Sequence, residues 1–123
     1  MANFVVWLDL RHAKLFELNQ QTVDETSMYR REVHHHSGYD KEKNNHKNEE
    51  KFFHEIASHL VHANEILVIG PGEAKGHFRQ HLEQHHHQDL SKKVIGVETV
   101  DHPTDGQIVA LAKKLFKAHR QFE

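Results

Sequence analysis

The 123-residue sequence contains no cysteine, so disulfides, thiolate zinc sites and cysteine nucleophiles are all excluded. Long apolar runs are missing as well. The amino-terminal segment "MANFVVWLDLRH" stays apolar only over residues 4–8 before it meets Asp9, which fits neither a signal peptide nor a membrane span. A cytoplasmic protein without membrane contact is therefore expected. An excess of one charge is also lacking: the formal net charge is −2 with histidine counted neutral, which gives no basic footprint for duplex DNA. What the chain does have is histidine, 15 residues of it. An unperturbed imidazole titrates near pH 6.5, so the net charge depends on mild acidity.

The length suits one domain with one core, spanning residues 1–123. Residues 3–10 and 13–18 are rich in β-branched and aromatic side chains, and the short Arg11-His12 link predicts a tight hairpin. Residues 22–33 read as a third, more polar strand near an edge, completing an antiparallel meander. Residues 34–48, "HHHSGYDKEKNNHKN", bury almost nothing and are expected to form a mobile loop. From Glu49 onward Phe52, Phe53, Ile56, Ala57 and Leu60 fall on one helical face, and that helix is expected to end near Ala63 and Asn64. A strand over 65–70, a helix over 73–88, a strand over 92–100 and a helix over 104–120 follow, with Thr104 as N-cap after Pro103. The back half alternates β and α, which implies parallel pairing with helices packed on the sheet. The expected class is α/β, a mixed sheet in which an antiparallel meander precedes α-β-α-β-α.

The stretch "ILVIGPGEAKGHF" runs from a strand through Gly70-Pro71-Gly72 into a helix. It is not a P-loop, because Lys75 precedes Gly76 and no Ser or Thr follows. It is not a dinucleotide fingerprint either, because Gly70, Gly72 and Gly76 are spaced G-x-G-x-x-x-G. What remains is a sharp turn followed by exposed helix amides with Lys75 in the first turn, a modest anion site. The competing reading is that the glycines only let the chain turn.

His77, His81 and His85 are spaced four apart, so a helix presents them on one side, as a pair of zinc or nickel ligands would be. With two runs of three consecutive histidines as well, adventitious zinc or nickel binding is expected. No carboxylate or third fixed ligand marks a dedicated site, and a solvated polar face explains the same spacing. His54-Glu55 and His59 are one residue too long for H-E-x-x-H, which sets the two histidines about 140° apart around a helix. Asp101, His102 and Asp105 in "VDHPTDGQ" could serve acid/base chemistry in a cleft, but no nucleophile accompanies them, and capping with a favourable helix dipole accounts for them.

The order of these features resembles the central domain of the archaeal and eukaryotic class-one release factor and Pelota family, whose fold is shared with ribosomal proteins described as translational machinery components and is ribonuclease H-like. Gly70, Pro71, Gly72, Lys75 and Phe78 carry the resemblance most specifically, and "DHPTDGQIVALAKKLF" looks like the small stand-alone bacterial relatives of that domain. Release factors of the family bear Gly-Gly-Gln before the first long helix, where the glutamine backbone helps water attack peptidyl-tRNA. Here the corresponding loop has neither the tripeptide nor any glutamine, so hydrolysis is not implied. The resemblance implies ribosome or tRNA contact of the Pelota kind.

The leading expectation is a non-enzymatic protein without cofactor that binds the ribosome or a structured RNA. Its phosphate contacts would come from Arg30, Arg31, Lys41, Lys43, Lys47 and Lys75, with the turn Gly70-Pro71-Gly72 as the anion cradle. Asp40, Glu42, Glu49 and Glu50 oppose that role for the loop. The alternatives are a metal-binding or metal-dependent hydrolytic protein using His77, His81 and His85, and a module that assembles with further copies of itself.

Overall fold

The computed structural model describes residues 2–20, 26–35, 45–85 and 89–121. Its elements are β1 (Ala2–Leu8), β2 (His12–Gln20), β3 (Thr26–His34), α1 (Asn45–Ser58), β4 (Ala63–Gly70), α2 (Ala74–Gln84), α3 (Leu90–Lys93), β5 (Val94–Thr99) and α4 (Asp105–Gln121). The five strands form one mixed sheet in the order β3-β2-β1-β4-β5. β1 pairs antiparallel with β2, and β2 with β3, while β4 lies parallel to both β1 and β5. This is the expected α/β class with its antiparallel opening.

The sequence explains the layering. Strand side chains alternate between the two faces of a sheet, so the uninterrupted apolar run of β1 needs a cover on both. Phe4, Val6 and Leu8 join Ala13 and Leu15 of β2 and Ile66 and Val68 of β4 beneath α1, α2 and α3, which contribute Phe52, Phe53, Ile56, Phe78, Leu82 and Leu90. Val5 and Trp7 face the other way with Phe16, Leu18, Leu67 and Ile69, under Ile108, Ala112 and Phe116 of α4. Among its described side chains β3 contributes Val33 to the core, in keeping with its polar sequence "TSMYRREVH", and it occupies one edge. Among the described residues no helix is long and apolar enough to cross a membrane.

Element ends differ from the sequence reading at several points. The expected loop over 34–48 is shorter: β3 continues to His34 and α1 begins at Asn45, with 36–44 outside the described residues. α1 stops at Ser58, and the chain reaches β4 through tight turns in which Leu60 N donates to Ala57 O at 2.9 Å and Ala63 N to Leu60 O at 3.0 Å. α2 ends at Gln84 instead of running on to 88, because no apolar residue follows Leu82 until Leu90 and a longer helix would gain no further burial. Asp89 then takes a left-handed conformation (φ 63°) and opens α3, whose Leu90 is buried.

Gly70 ends β4 where the chain passes Leu8. A Cβ built there would lie 2.1 Å from the Leu8 carbonyl oxygen, so only glycine lets the two parallel strands approach at this level. Gly72 is different: its φ of 60° suits glycine, but a Cβ would meet nothing within 4 Å. Gly70→Ala is therefore expected to lower stability by about 3 kcal/mol through forced backbone displacement. Gly72→Ala should cost only about 1 kcal/mol for the left-handed conformation. Urea unfolding midpoints of the two variants check the order; equal losses would remove the close-approach explanation.

Candidate nucleic-acid interface

The parallel strands β1, β4 and β5 end on one side of the sheet, the place where open α/β sheets commonly seat ligands. There the Gly70-Pro71-Gly72 turn leads into α2, and Val100 N donates to Gly70 O at 3.1 Å, tying the β5 exit to the turn. Lys75 does not project from it. Its ammonium donates back to the Gly72 carbonyl oxygen, closing the turn from within. Glu73 occupies the N-cap of α2 without a side-chain cap bond, and its carboxylate is 89% exposed with His77 Nε2 4.0 Å away. Lys75 is thus engaged within the turn, and the exposed Glu73 carboxylate adds negative charge at the same helix start, which weighs against Gly70, Pro71, Gly72 and Lys75 as an open phosphate cradle.

The meander cations are engaged in a similar way. Arg30 Nε lies 2.8 Å from Asp105 Oδ2 and its Nη2 3.1 Å from Glu32 Oε2, while Lys14 Nζ sits 3.3 Å from Asp105 Oδ1. One carboxylate in the first turn of α4 thus binds two strands of the meander. Arg31 Nη1 approaches His59 Nδ1 at 3.0 Å, and its guanidinium lies 5.6 Å from the Tyr29 ring centre. With Phe4, Leu15 and Glu17 these three side chains line a small cavity of about 80 Å³. Lys41 and Lys43 lie outside the described residues, and Lys47 falls in the backbone of α1.

The "VDHPTDGQ" grouping separates into structural bonds. Thr104 and Gln107 form a reciprocal capping pair: Gln107 N donates to Thr104 Oγ1 at 3.2 Å and Thr104 N to Gln107 Oε1 at 2.9 Å. His102 Nδ1 lies 2.8 Å from Asp101 Oδ1, and Trp7 Nε1 donates to the Asp101 carbonyl oxygen at 2.9 Å. His12 and His102 flank the Trp7 ring at 5.2 and 5.3 Å. Asp9 accepts from the backbone of Arg11 and His12 at 2.8 and 2.9 Å and so shapes the β1–β2 turn. Asp101 and Asp105 therefore serve different partners.

The histidine stripe of α2 is not one solvated face. His81 is only 4% exposed, packed edge-on to Phe53, whereas His77 turns toward Glu73. The trio that comes together is His54 of α1 with His81 and His85: His81 and His85 stack at 4.3 Å, and His54 meets them edge-on at 4.7 and 5.4 Å. The partner from α1 escaped the sequence reading because a long-range contact between two helices leaves no local spacing. Among the described residues no three His, Asp or Glu side chains are arranged to hold a metal ion.

A further feature lies at the opposite end of the sheet, where β4 and β5 begin and α4 finishes. Asn64, Glu65, Lys92, Lys93, His119 and Arg120, with Val94 and Ile95, line an open groove of about 520 Å³. The Lys92-Lys93 pair was visible in the sequence, but only the return of α4 across the sheet brings Arg120 to it.

No protein-family model matches the chain, and no curated protein is similar to it at a meaningful level. Solved structures are. Archaeoglobus fulgidus Pelota matches over 92% of this chain with 19% identity and a TM-score of 0.63, and Thermoplasma acidophilum Pelota over 86% with 19% identity and a TM-score of 0.61. S. cerevisiae Dom34, described as a translation termination-like factor in RNA quality control pathways that interacts with Hbs1, matches over 97% with 16% identity and a TM-score of 0.58. The chain spans about a third of each of these proteins, 31%, 30% and 35% of their lengths. The likeness establishes a Pelota-like fold.

His59 provides a test of the Arg31 contact. Burial first, then the Arg31 guanidinium, holds its pKa below the ordinary 6.5, while Glu55 pulls it upward. Because the folded value lies below the unfolded one, the His59 contribution to stability is complete above about pH 6.5 and is lost as pH falls through the folded value. Arg31→Met is expected to raise the His59 pKa and Glu55→Gln to lower it further. The imidazole proton shifts in NMR titrations report both directions; an unchanged midpoint in Arg31→Met would show the contact to be absent in solution.

Proposed function

We propose that this chain is a non-catalytic, translation-associated domain that binds the ribosome or a structured RNA. The observation that carries this reading is the Pelota-like fold, matched over 92% of the chain, combined with a sequence that nowhere contains Gly-Gly-Gln. Dom34 is described as a translation termination-like factor, and a chain of the same fold without the tripeptide is suited to contact rather than hydrolysis. Asp105 is taken by Arg30 and Lys14 and stands apart from the Asp101–His102 pair, so the three side chains do not form one acid/base group. The "DHPTDGQIVALAKKLF" resemblance adds the finer reading of a small bacterial relative acting by itself in the cytoplasm.

Binding of this kind is electrostatic in large part, so it should weaken steeply with salt. Untagged protein, treated with EDTA and returned to magnesium buffer, is expected to co-sediment saturably with bacterial ribosomes at low salt, less at high salt, and more at pH 6 than at pH 8. The histidine dependence follows from protonation adding positive charge. Absence of pelleting under every condition would refute the reading.

A further inference from the structure

Among the described residues, the groove at the start of β4 and β5 is lined by more cations than carboxylates. Of its described charged lining, Lys92, Lys93 and Arg120 are cationic and Glu65 is a carboxylate. Glu65 is sunk into the floor, its side chain 14% exposed, and His119 Nε2 sits 3.1 Å from it. Lys92, 79% exposed, has Asp89 3.6 Å away, an exposed pair of the kind that contributes little and rearranges readily.

The cationic character continues along α4. Lys113, Lys117 and Arg120 recur at helical spacing on one face, with Lys114 beside them, and all four are exposed. From Gly106 to Gln121 the helix has no acidic residue. Among the described residues Lys113, Lys114 and Lys117 enter no ion pair. In a chain with formal net charge −2, cations gathered at one end leave the remaining surface more acidic, so the field has a direction. The C-terminal end of the helix dipole favours cations there, which makes the arrangement locally stable.

We propose that this groove and the adjoining α4 face are the seat for the phosphodiester backbone of a structured RNA, an inference that rests on the RNA-binding reading above. The backbone is the part recognised, because no Phe, Tyr or Trp among the described residues lines the groove, the His119 ring is held by Glu65 at 3.1 Å, and Val94 and Ile95 are the apolar residues of the described lining. The cations expected from the sequence lie elsewhere: Arg30 and Lys75 are bound to groups of their own fold, whereas the α4 lysines face outward. Recognition here is sequence-tolerant, and its affinity depends on the number of phosphates neutralised.

The test compares two full-length double variants of equal charge change, each verified as folded by circular dichroism. Lys92→Glu with Arg120→Glu reverses the groove; Lys51→Glu with Arg79→Glu reverses exposed cations on α1 and α2, across the sheet from α4. The probe is a short fluorescent RNA hairpin, read by anisotropy at several salt concentrations. The groove variant is expected to bind about tenfold more weakly, and its plot of log affinity against log salt to flatten by about 0.9 for each phosphate that is no longer neutralised. The control should stay within about twofold of wild type, as distant exposed charges are screened. Equal losses in both variants, or none in the groove variant, overturn the groove while leaving RNA binding intact. Failure of wild type to bind the hairpin and ribosomes alike at low salt overturns both readings, and displacement of RNA by polyglutamate at equal charge concentration assigns the groove to an acidic protein instead.

Discussion

Two adjacent strands that are apolar on both faces set the terms for everything else. Phe4 to Leu8 and Ile66 to Ile69 cannot leave water unless the sheet is covered from two sides, and the chain supplies three helices to one face and α4 to the other. That requirement centres β1 and β4 and pushes the polar β3 to the edge. It also makes α4 run back across its face, so that its first turn and its last turn stand at opposite ends of the sheet.

The two ends have different electrostatic habits as a result. Where the parallel strands finish, carboxylates and cations are matched: Asp105 takes both Arg30 and Lys14, and Lys75 bonds to the turn from which it starts. Such pairs are half exposed, and each contributes modestly, but together they fix the meander against the helix. Where the strands begin, Lys92, Lys93 and Arg120 line one groove with Glu65 among the described residues. The topology that matches charges at one end of the Pelota-like sheet leaves an open groove at the other.

Much of the fold was legible in the sequence because it depends on local periodicity. The continuous apolar run at 4–8, the β-branched and aromatic content of 13–18, the stripe at Phe52, Phe53 and Ile56, and the Thr104 cap all correspond to elements found in place. The site was less legible. Spacing put His77, His81 and His85 on one side of a helix, yet His81 is buried and its neighbours are His85 and a histidine from another helix. Likewise Arg30 read as a surface cation, and only the tertiary position of Asp105 shows that it is spoken for. The Arg30–Asp105 contact spans 75 residues and the groove joins Lys92 to Arg120 across 28, and neither leaves a signature in a window of ten.

The bond from the Trp7 indole to the Asp101 carbonyl spans 94 positions of sequence, and the β1–β4 register joins Ala2 to Ala63. The first two hairpins close over short loops, but the parallel seam must wait for the intervening chain, a topology of high contact order that folds slowly. Trp7 is the sole tryptophan. Its emission therefore registers two events, the packing of β2 against the first strand and the arrival of the Asp101 turn, so refolding followed by fluorescence is expected to show the closing of the seam as a second phase after the meander.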